Sequence, residues 1–237
     1  GLRGFFEEGF YGKSENSDPT TMINGVYEYF PYHHIWCRPG FPARYHAIVN
    51  QANPIDVKVL IDGEAAQMGE RAASYSRTLD MRSGTVTRKY RYTTQSGKAA
   101  DLIFERFASQ SDKHLLAVRI TAIPAGECEV TFVSTLKSMA PAAGTVKEEI
   151  GGATGSVFER PTAVRSNGCM QVGYSTKVSG FQISCAVRDG LSSPCERQDS
   201  DSADTLCTEF RAHGQAGRPI VYTRIIGYAV MRDFPDF

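Results

Sequence analysis

The chain contains 237 residues, and its 26 lysines and arginines balance 26 aspartates and glutamates, so the formal net charge is zero. This balance removes the main electrostatic argument for a nucleic-acid partner or an anionic membrane surface. No apolar run approaches the ~20 residues that a membrane-spanning helix needs, so we expect no membrane partner. The length is sufficient to bury the core of one large domain or of two smaller ones.

The first eight residues place one arginine and two acids around a pair of aromatic residues. Arg3, Glu7 and Glu8 predict a strand end held by charge pairs, and we interpret them as structural or interface residues rather than catalysts. The chain starts at Gly1 without a signal-peptide pattern, which does not fix the compartment. A cytoplasmic location is our interpretation, and an extracellular one stays open.

Aromatic and histidine side chains are concentrated in residues 30–47, among three prolines. The prolines and the absence of a regular period predict a long irregular loop. His33, His34 and Trp36 are its candidate sugar-contacting or interface residues, because an aromatic face offers an apolar platform for a sugar ring. Adjacent histidines in an extended segment point to opposite sides, which disfavours a shared metal ion. A packed lid without a ligand also stays open.

Strands are predicted wherever apolar residues occupy alternate positions. The first clear case covers residues 55–61 and ends at Asp62-Gly63, a dipeptide typical of tight hairpins. Residues 64–73 have a helix-like composition and are interpreted as a turn or a single helical turn. A second hairpin has Ser83-Gly84 as its turn. The other predicted strands cover residues 102–107, 116–123, 130–136, 169–175, 181–187, 205–212 and 220–230; residues 137–168 have loop composition, and residues 188–204 are predicted to be exposed.

Several segments resemble glycoside hydrolase family 65, which contains maltose, trehalose, kojibiose and nigerose phosphorylases and some hydrolases. Residues 79–88, with the sequence LDMRSGTVTR, resemble the family's L-D-M-(R/K)-x-G-x-x-x-R segment. Residues 1–8 resemble its G-x-R-G-x-x-E-E start, and residues 112–119 resemble a D-x-H-L segment. The resemblance is good over residues 1–136 and holds only in pattern beyond them. It implies that residues 1–237 form one N-terminal β-sandwich domain: an all-β, antiparallel two-sheet supersandwich, galactose-mutarotase-like, with little helix.

The resemblance also implies where the chemistry resides. In family 65 the catalytic groups belong to an (α/α)6 barrel that follows the sandwich, and this chain has no succession of long amphipathic helices. We therefore expect a non-catalytic domain of a larger α-glucoside phosphorylase. In that protein phosphate would attack an α-glucobiose with inversion, releasing β-glucose 1-phosphate and glucose. Phosphate is then a co-substrate, no cofactor is expected, and the expected partners are the barrel of its own chain, an α-linked disaccharide and a second copy in a homodimer.

Three alternatives stay open. The parent protein could be a hydrolase of the same family, or the chain could be a free-standing carbohydrate-binding sandwich that uses aromatic residues in the 30–46 segment. A mutarotase-like epimerase would need a histidine and a carboxylate converging in a cleft. His114 is a candidate acid or base, but a histidine at a strand start beside Asp112 is more typical of a structural hydrogen bond.

The six cysteines are widely spaced and form no C-x-x-C pair, which disfavours a zinc site. A chain of this length does not need disulfides to stabilise its core. We therefore predict free, mostly buried thiols, although the even count is also compatible with disulfides.

Overall fold

A computed structural model describes residues 4–7, 20–31, 39–40, 42–138 and 157–233, with residues 4–7 and Thr20 described by their backbone alone. Throughout these ranges the chain forms strands, turns and loops and contains no helix. The strands are β1 (Gly4–Glu7), β2 (Thr20–Ile23), β3 (Tyr27–Pro31), β4 (Arg44–Ile48), β5 (Val57–Ile61), β6 (Glu64–Ala65), β7 (Ala72–Asp80), β8 (Thr85–Thr93), β9 (Ala99–Ala108), β10 (Leu115–Pro124), β11 (Cys128–Lys137), β12 (Phe158–Ser166), β13 (Cys169–Thr176), β14 (Gln182–Leu191), β15 (Glu196–Asp201), β16 (Thr205–Gly214) and β17 (Ile220–Val230).

Two large sheets dominate the molecule. One has eight strands in the order β12-β13-β14-β17-β10-β9-β8-β7, and the other has five in the order β15-β16-β11-β5-β6. Two further pairs, β1–β2 and β3–β4, form separate two-stranded ribbons. The pairings described within these sheets are antiparallel. The predicted all-β class with large antiparallel sheets is therefore confirmed.

The inner faces of the two large sheets share one apolar core. Phe132 of β11 and Tyr222 of β17 stack between the sheets, with ring centroids 5.3 Å apart and planes 10° from parallel. Both side chains are fully buried. Burying a side chain of this size stabilises a fold by ~1.5–3 kcal/mol, so rows of such positions hold the sheets together. The alternating burial along β16 and β17 is the period-2 pattern that the sequence predicts.

One arginine side chain joins the two sheets by hydrogen bonds at the edge formed by β12. Arg165 of β12 donates from Nε and Nη2 to Asp201 of β15, at 3.0 and 2.6 Å, and from Nη1 to the Thr208 hydroxyl of β16 at 2.9 Å. The hydrogen bond with Asp201 raises the pKa of the Arg165 guanidinium. Because the guanidinium spans both sheets, it fixes their separation at this edge.

Both hairpins predicted from dipeptides are confirmed. Asp62 and Gly63 have φ values of 47° and 80°, and two positive φ angles are what a type I′ hairpin requires. The β7–β8 turn ends at Gly84, whose φ is 67°. Asp80 stabilises that turn, because its carboxylate accepts hydrogen bonds from the Arg82 amide at 2.9 Å and the Ser83 hydroxyl at 2.7 Å.

The structure corrects the sequence predictions in four places. Residues 64–73 contain β6, a turn and the start of β7, so the turn is present but the helical alternative is wrong, and β12 lies inside the segment predicted as a loop. The exposed segment contains the edge strand β15, and the ends of residues 30–47 belong to β3 and β4. These elements are short, lie at sheet edges or belong to the separate ribbon, so they lack the long apolar alternation that reveals a central strand.

Candidate carbohydrate or interface surface

The residues predicted for a sugar or interface role fall largely outside the described ranges. Arg3, Glu8, His33, His34 and Trp36 lie outside them. Glu7 ends β1, and only its backbone is described. The two ends of the predicted aromatic segment belong to β3 and β4, which pair with each other and which we call the ribbon.

The outward face of the ribbon carries a row of large side chains. Tyr27 lies opposite Ile48, Tyr29 opposite His46 and Pro31 opposite Arg44 in the register. His46 and Ile48 are exposed, and both tyrosines are partly exposed. The inward face carries Glu28 and Phe30, which are buried against the sandwich. Strand alternation therefore separates a buried anchor from an exposed aromatic face.

The aromatic rings on this face contact one another in a ladder. The rings of Tyr27 and His46 stack with centroids 5.0 Å apart and planes 9° from parallel, and Tyr29 meets His46 edge-on at 4.5 Å. Phe181, which precedes β14, meets the other side of the ladder edge-on, with its centroid 5.2 Å from that of Tyr27. The hydrogen bond with Tyr27 raises the pKa of the Tyr29 phenol above its usual value. The arrangement offers apolar ring faces and hydroxyl groups together, as sugar contacts and protein interfaces both require.

Glu28 anchors the ribbon to the sandwich. Its side chain is 2% exposed, and its carboxylate accepts hydrogen bonds from the backbone amides of Tyr29, Val178 and Ser179 at 2.8, 2.9 and 2.8 Å. The Ser179 hydroxyl in turn donates to the Tyr27 carbonyl at 2.6 Å. Three amide donors on one buried carboxylate form a charge-assisted clamp. The position of the aromatic ladder therefore depends on the turn between β13 and β14.

His114, the candidate acid or base, makes structural contacts. Its amide donates to Asp112 Oδ1 at 2.9 Å, and its Nδ1 lies 3.1 Å from the Tyr228 carbonyl oxygen. The predicted structural hydrogen bond is confirmed. Glu105 is held by Arg119, which donates from Nε and Nη2 at 2.7 and 2.9 Å. The Arg119 hydrogen bond lowers the pKa of the Glu105 carboxyl, which suits an ion pair rather than a general acid.

A buried ionic cluster lies between the sheets. Arg224 of β17 is fully buried, and its Nε lies 2.8 Å from Asp189 Oδ1 of β14. Arg224 also donates to the Pro54 carbonyl at 2.6 Å, to the Tyr222 hydroxyl at 3.1 Å and to the Ser134 hydroxyl, which itself donates to Asp189. The cluster thus ties β17, β14, β11 and the segment before β5 together.

The titration of this cluster also indicates a structural role. Burial alone would raise the pKa of Asp189, but the Arg224 charge and the hydrogen bonds from Arg224, Ser134 and Tyr222 outweigh it and leave that pKa below its usual value. Although burial opposes the charged form of Arg224, Tyr222 and Asp189 raise its pKa above the usual value. Both groups stay charged near neutral pH, so neither is poised to exchange protons with a substrate.

The described ranges contain no group of three or more histidine, cysteine or acidic side chains that could hold a metal ion. They also contain no helix that is long and apolar enough to cross a membrane. Five cysteines in these ranges are free, as predicted, but only Cys128 and Cys185 are buried; Cys169 and Cys207 are partly exposed and Cys195 is exposed. Burial raises the pKa of the Cys185 thiol to about 12, so it stays protonated and unreactive. Cys37 lies outside the described residues.

Sequence reasoning identifies the aromatic segment as a candidate surface but does not identify the ordered ladder beside it. Tyr27 and Tyr29 alternate with Glu28 and Phe30, which is a strand signal that continues to the predicted loop. The acid at the inward-facing position was the available clue to a buried anchor. No sequence pattern indicates that Phe181, more than a hundred residues later, completes the ladder.

We compared the chain with protein families, with individual proteins and with solved structures. The family model described as "Glycosyl hydrolase family 65, N-terminal domain" matches residues 1–237. The chain is 25% identical to an alpha,alpha-trehalose phosphorylase of Thermoanaerobacter brockii over 250 residues, covering 100% of this chain and 31% of that protein. It is 29% identical to a kojibiose phosphorylase of Caldanaerobacter subterraneus over 125 residues, covering 52% of this chain and 14% of that protein. A solved structure, "Putative kojibiose phosphorylase from human microbiome", superposes with a TM-score of 0.79 over 97% of this chain and 28% of that chain, at 18% identity, which supports the fold. The chain therefore spans less than a third of the length of these relatives.

Proposed function

The chain belongs to glycosyl hydrolase family 65 as an N-terminal domain, and from that premise we propose that it is the non-catalytic sandwich of a larger α-glucoside phosphorylase. The observation that carries the proposal is the family match over residues 1–237, combined with relatives that are phosphorylases more than three times as long. In this proposal residues 1–237 form one domain, and a catalytic (α/α)6 barrel belongs to the same longer chain.

The reaction proposed for the whole protein is phosphorolysis. Inorganic phosphate attacks the anomeric carbon of an α-linked glucobiose with inversion, the glycosidic bond breaks, and an acid in the barrel protonates the leaving oxygen. The products are β-glucose 1-phosphate and glucose. Phosphate is a co-substrate, and no cofactor takes part. The partners are the barrel, the disaccharide and, in the assembled protein, a second subunit.

A cytoplasmic location belongs to the same proposal. Glucose 1-phosphate is charged, and a charged group does not readily enter the apolar interior of a membrane. A cell therefore retains the phosphorylated product when the reaction takes place inside it.

The test of the reaction uses the full-length protein that contains this chain. It is incubated with maltose, trehalose, kojibiose or nigerose, with and without phosphate, and glucose and glucose 1-phosphate are measured. We expect glucose 1-phosphate in equimolar amount with free glucose, and only when phosphate is present. Two equivalents of glucose without phosphate would instead identify a hydrolase of the same family.

We further propose that the outward face of the ribbon contacts carbohydrate in the full-length protein. Tyr29→Ala should raise KM for the disaccharide about three- to tenfold with little change in kcat, because an aromatic contact contributes ~0.5–1.5 kcal/mol to ground-state binding. Tyr75→Ala is the matched control, since Tyr75 is an exposed aromatic on the edge strand β7, five strands from β14 in the sheet order. Equal KM values for the two variants would contradict the carbohydrate role and leave the ribbon as a structural element.

A further inference from the structure

The outer face of the eight-stranded sheet carries an apolar patch on its central strands. Phe107 of β9, Ala117 of β10 and Ile225 of β17 lie opposite one another in the register. Leu115 is two residues before Ala117 on the same face of β10. We call these four residues the outer patch. Phe107 is 46% exposed, Leu115 39% and Ile225 50%.

The outer patch departs from the pattern of the rest of that sheet face. The next row along these strands contains Glu105, Arg119 and Thr223, and it continues to Thr87 of the neighbouring strand β8; all four are polar or charged. An exposed cluster of large apolar side chains bordered by a paired acid and base has the composition of an interface centre with a polar rim. The Leu115 side chain lies over Gly227, since its Cδ2 would be 3.8 Å from a Cβ atom added there. Exposed apolar side chains on an open sheet face fit a folded partner better than a small ligand, because small-molecule sites are concave clefts.

The position of the outer patch indicates which partner this is. The end of β17 and the starts of β10 and β14 lie at one end of the sheet, and the Met231 amide donates there to the Gln182 carbonyl at 3.0 Å. Leu115 of the patch lies opposite Gly227, which precedes Met231 by four residues, or about 13 Å of extended strand. The outer patch therefore lies toward the end of the sheet at which the chain leaves β17. Joining two domains in one chain also raises their effective concentration, so a modest apolar patch can hold them together.

We propose that the outer patch is the docking surface for the catalytic domain of the same chain. This inference rests on the proposed function, since it requires that the chain is one domain of a longer protein. Phe107, Leu115 and Ile225 are its anchors, and the Glu105–Arg119 ion pair lies at the rim. A second copy of the chain is the competing occupant, and the experiment separates the two.

The experiment compares thiol labelling of two single-cysteine additions in the full-length protein. Ile225→Cys reports on the outer patch, and Val164→Cys is the matched control. Val164 is 53% exposed on the same face of the same sheet, but it lies on edge strand β12, three strands from β17. A maleimide is added to native and to denatured protein, and each cysteine is followed separately by peptide mass spectrometry, so native thiols do not interfere.

We expect the thiol of Ile225→Cys to label at least about tenfold more slowly than that of Val164→Cys in the native protein, because the centre of an interface excludes solvent. In the denatured protein the two should label equally. Equal labelling in the native protein would overturn the proposal. Protection that disappears on dilution to the monomer would also overturn it, because the cover would then be a second copy. The labelling does not depend on turnover. If the full-length protein hydrolyses these disaccharides or does not act on them, the proposed function is wrong, but the labelling rates still test the docking surface.

Discussion

Replacing Arg224 with leucine should destabilise the domain by about 3–5 kcal/mol, because it leaves a buried carboxylate without its charge partner. The Asp189 side chain is 7% exposed and pairs with Arg224 at 2.8 Å. The variant also removes the donors to Ser134, Tyr222 and the Pro54 carbonyl. Urea unfolding, followed by circular dichroism, measures the change in the free energy of unfolding. The slope of that free energy against urea concentration should be the same for the variant and the wild type, which shows that the two unfold in the same transition.

A double variant and a pH series test the same cluster. Arg224→Met with Asp189→Leu should recover most of the lost stability, since this cluster then contains no buried charge. The pKa of Asp189 is lower in the folded state than in the unfolded chain. Its contribution is therefore present above the unfolded pKa of about 4 and is lost as pH falls through the lower, folded pKa. The wild type should lose stability over that acid range more steeply than the double variant. A double variant as unstable as Arg224→Leu would contradict this explanation.

The second large effect is expected at Glu28. Glu28→Ala should lower the free energy of unfolding by about 3 kcal/mol, because three amide donors in the ribbon and the β13–β14 turn lose a charged acceptor. Each hydrogen bond to a charged group contributes ~1.5 kcal/mol or more, and water partly replaces the lost acceptor. Thermal and urea unfolding provide the measurement. Glu28→Gln keeps one acceptor oxygen and should fall between the wild type and the alanine variant.

Glu127→Ala is the matched control for Glu28, because Glu127 is exposed on the turn before β11. It should change stability by less than about 0.5 kcal/mol. If Glu28→Ala changed the free energy of unfolding as little as Glu127→Ala does, the Glu28 carboxylate would make no net contribution and the proposed anchoring role would be wrong.

The central strands of the fold could be predicted because both periodicity and turn chemistry specify them. In β17, Tyr222, Ile226 and Tyr228 occupy inward positions, and the structure buries all three. Alternation also placed Arg224 on the same inward face, which is a readable sign of a buried polar network. Its partner could not be read, because Asp189 lies on another strand and the pairing depends on three-dimensional register.

The candidate site could be predicted only in part. Aromatic composition pointed to residues 30–47, but the anchoring of the ribbon depends on Val178 and Ser179, which are distant in sequence from Glu28. The edge strand β15 was missed because every residue in it is exposed, so it has no apolar face to recognise. Long-range hydrogen bonds and solvation on both sides of a strand leave no local periodic signal.

The most direct test of the central claim, that this sandwich carries no catalytic group, uses the 237-residue chain alone. The purified chain is checked for a strand-rich circular dichroism spectrum and then incubated with maltose, trehalose, kojibiose and nigerose, with and without phosphate. We predict a folded protein that releases neither glucose nor glucose 1-phosphate above the buffer level. Turnover that disappears in His114→Ala or Glu105→Gln, with folding unchanged, would contradict the claim and make the domain an enzyme in its own right.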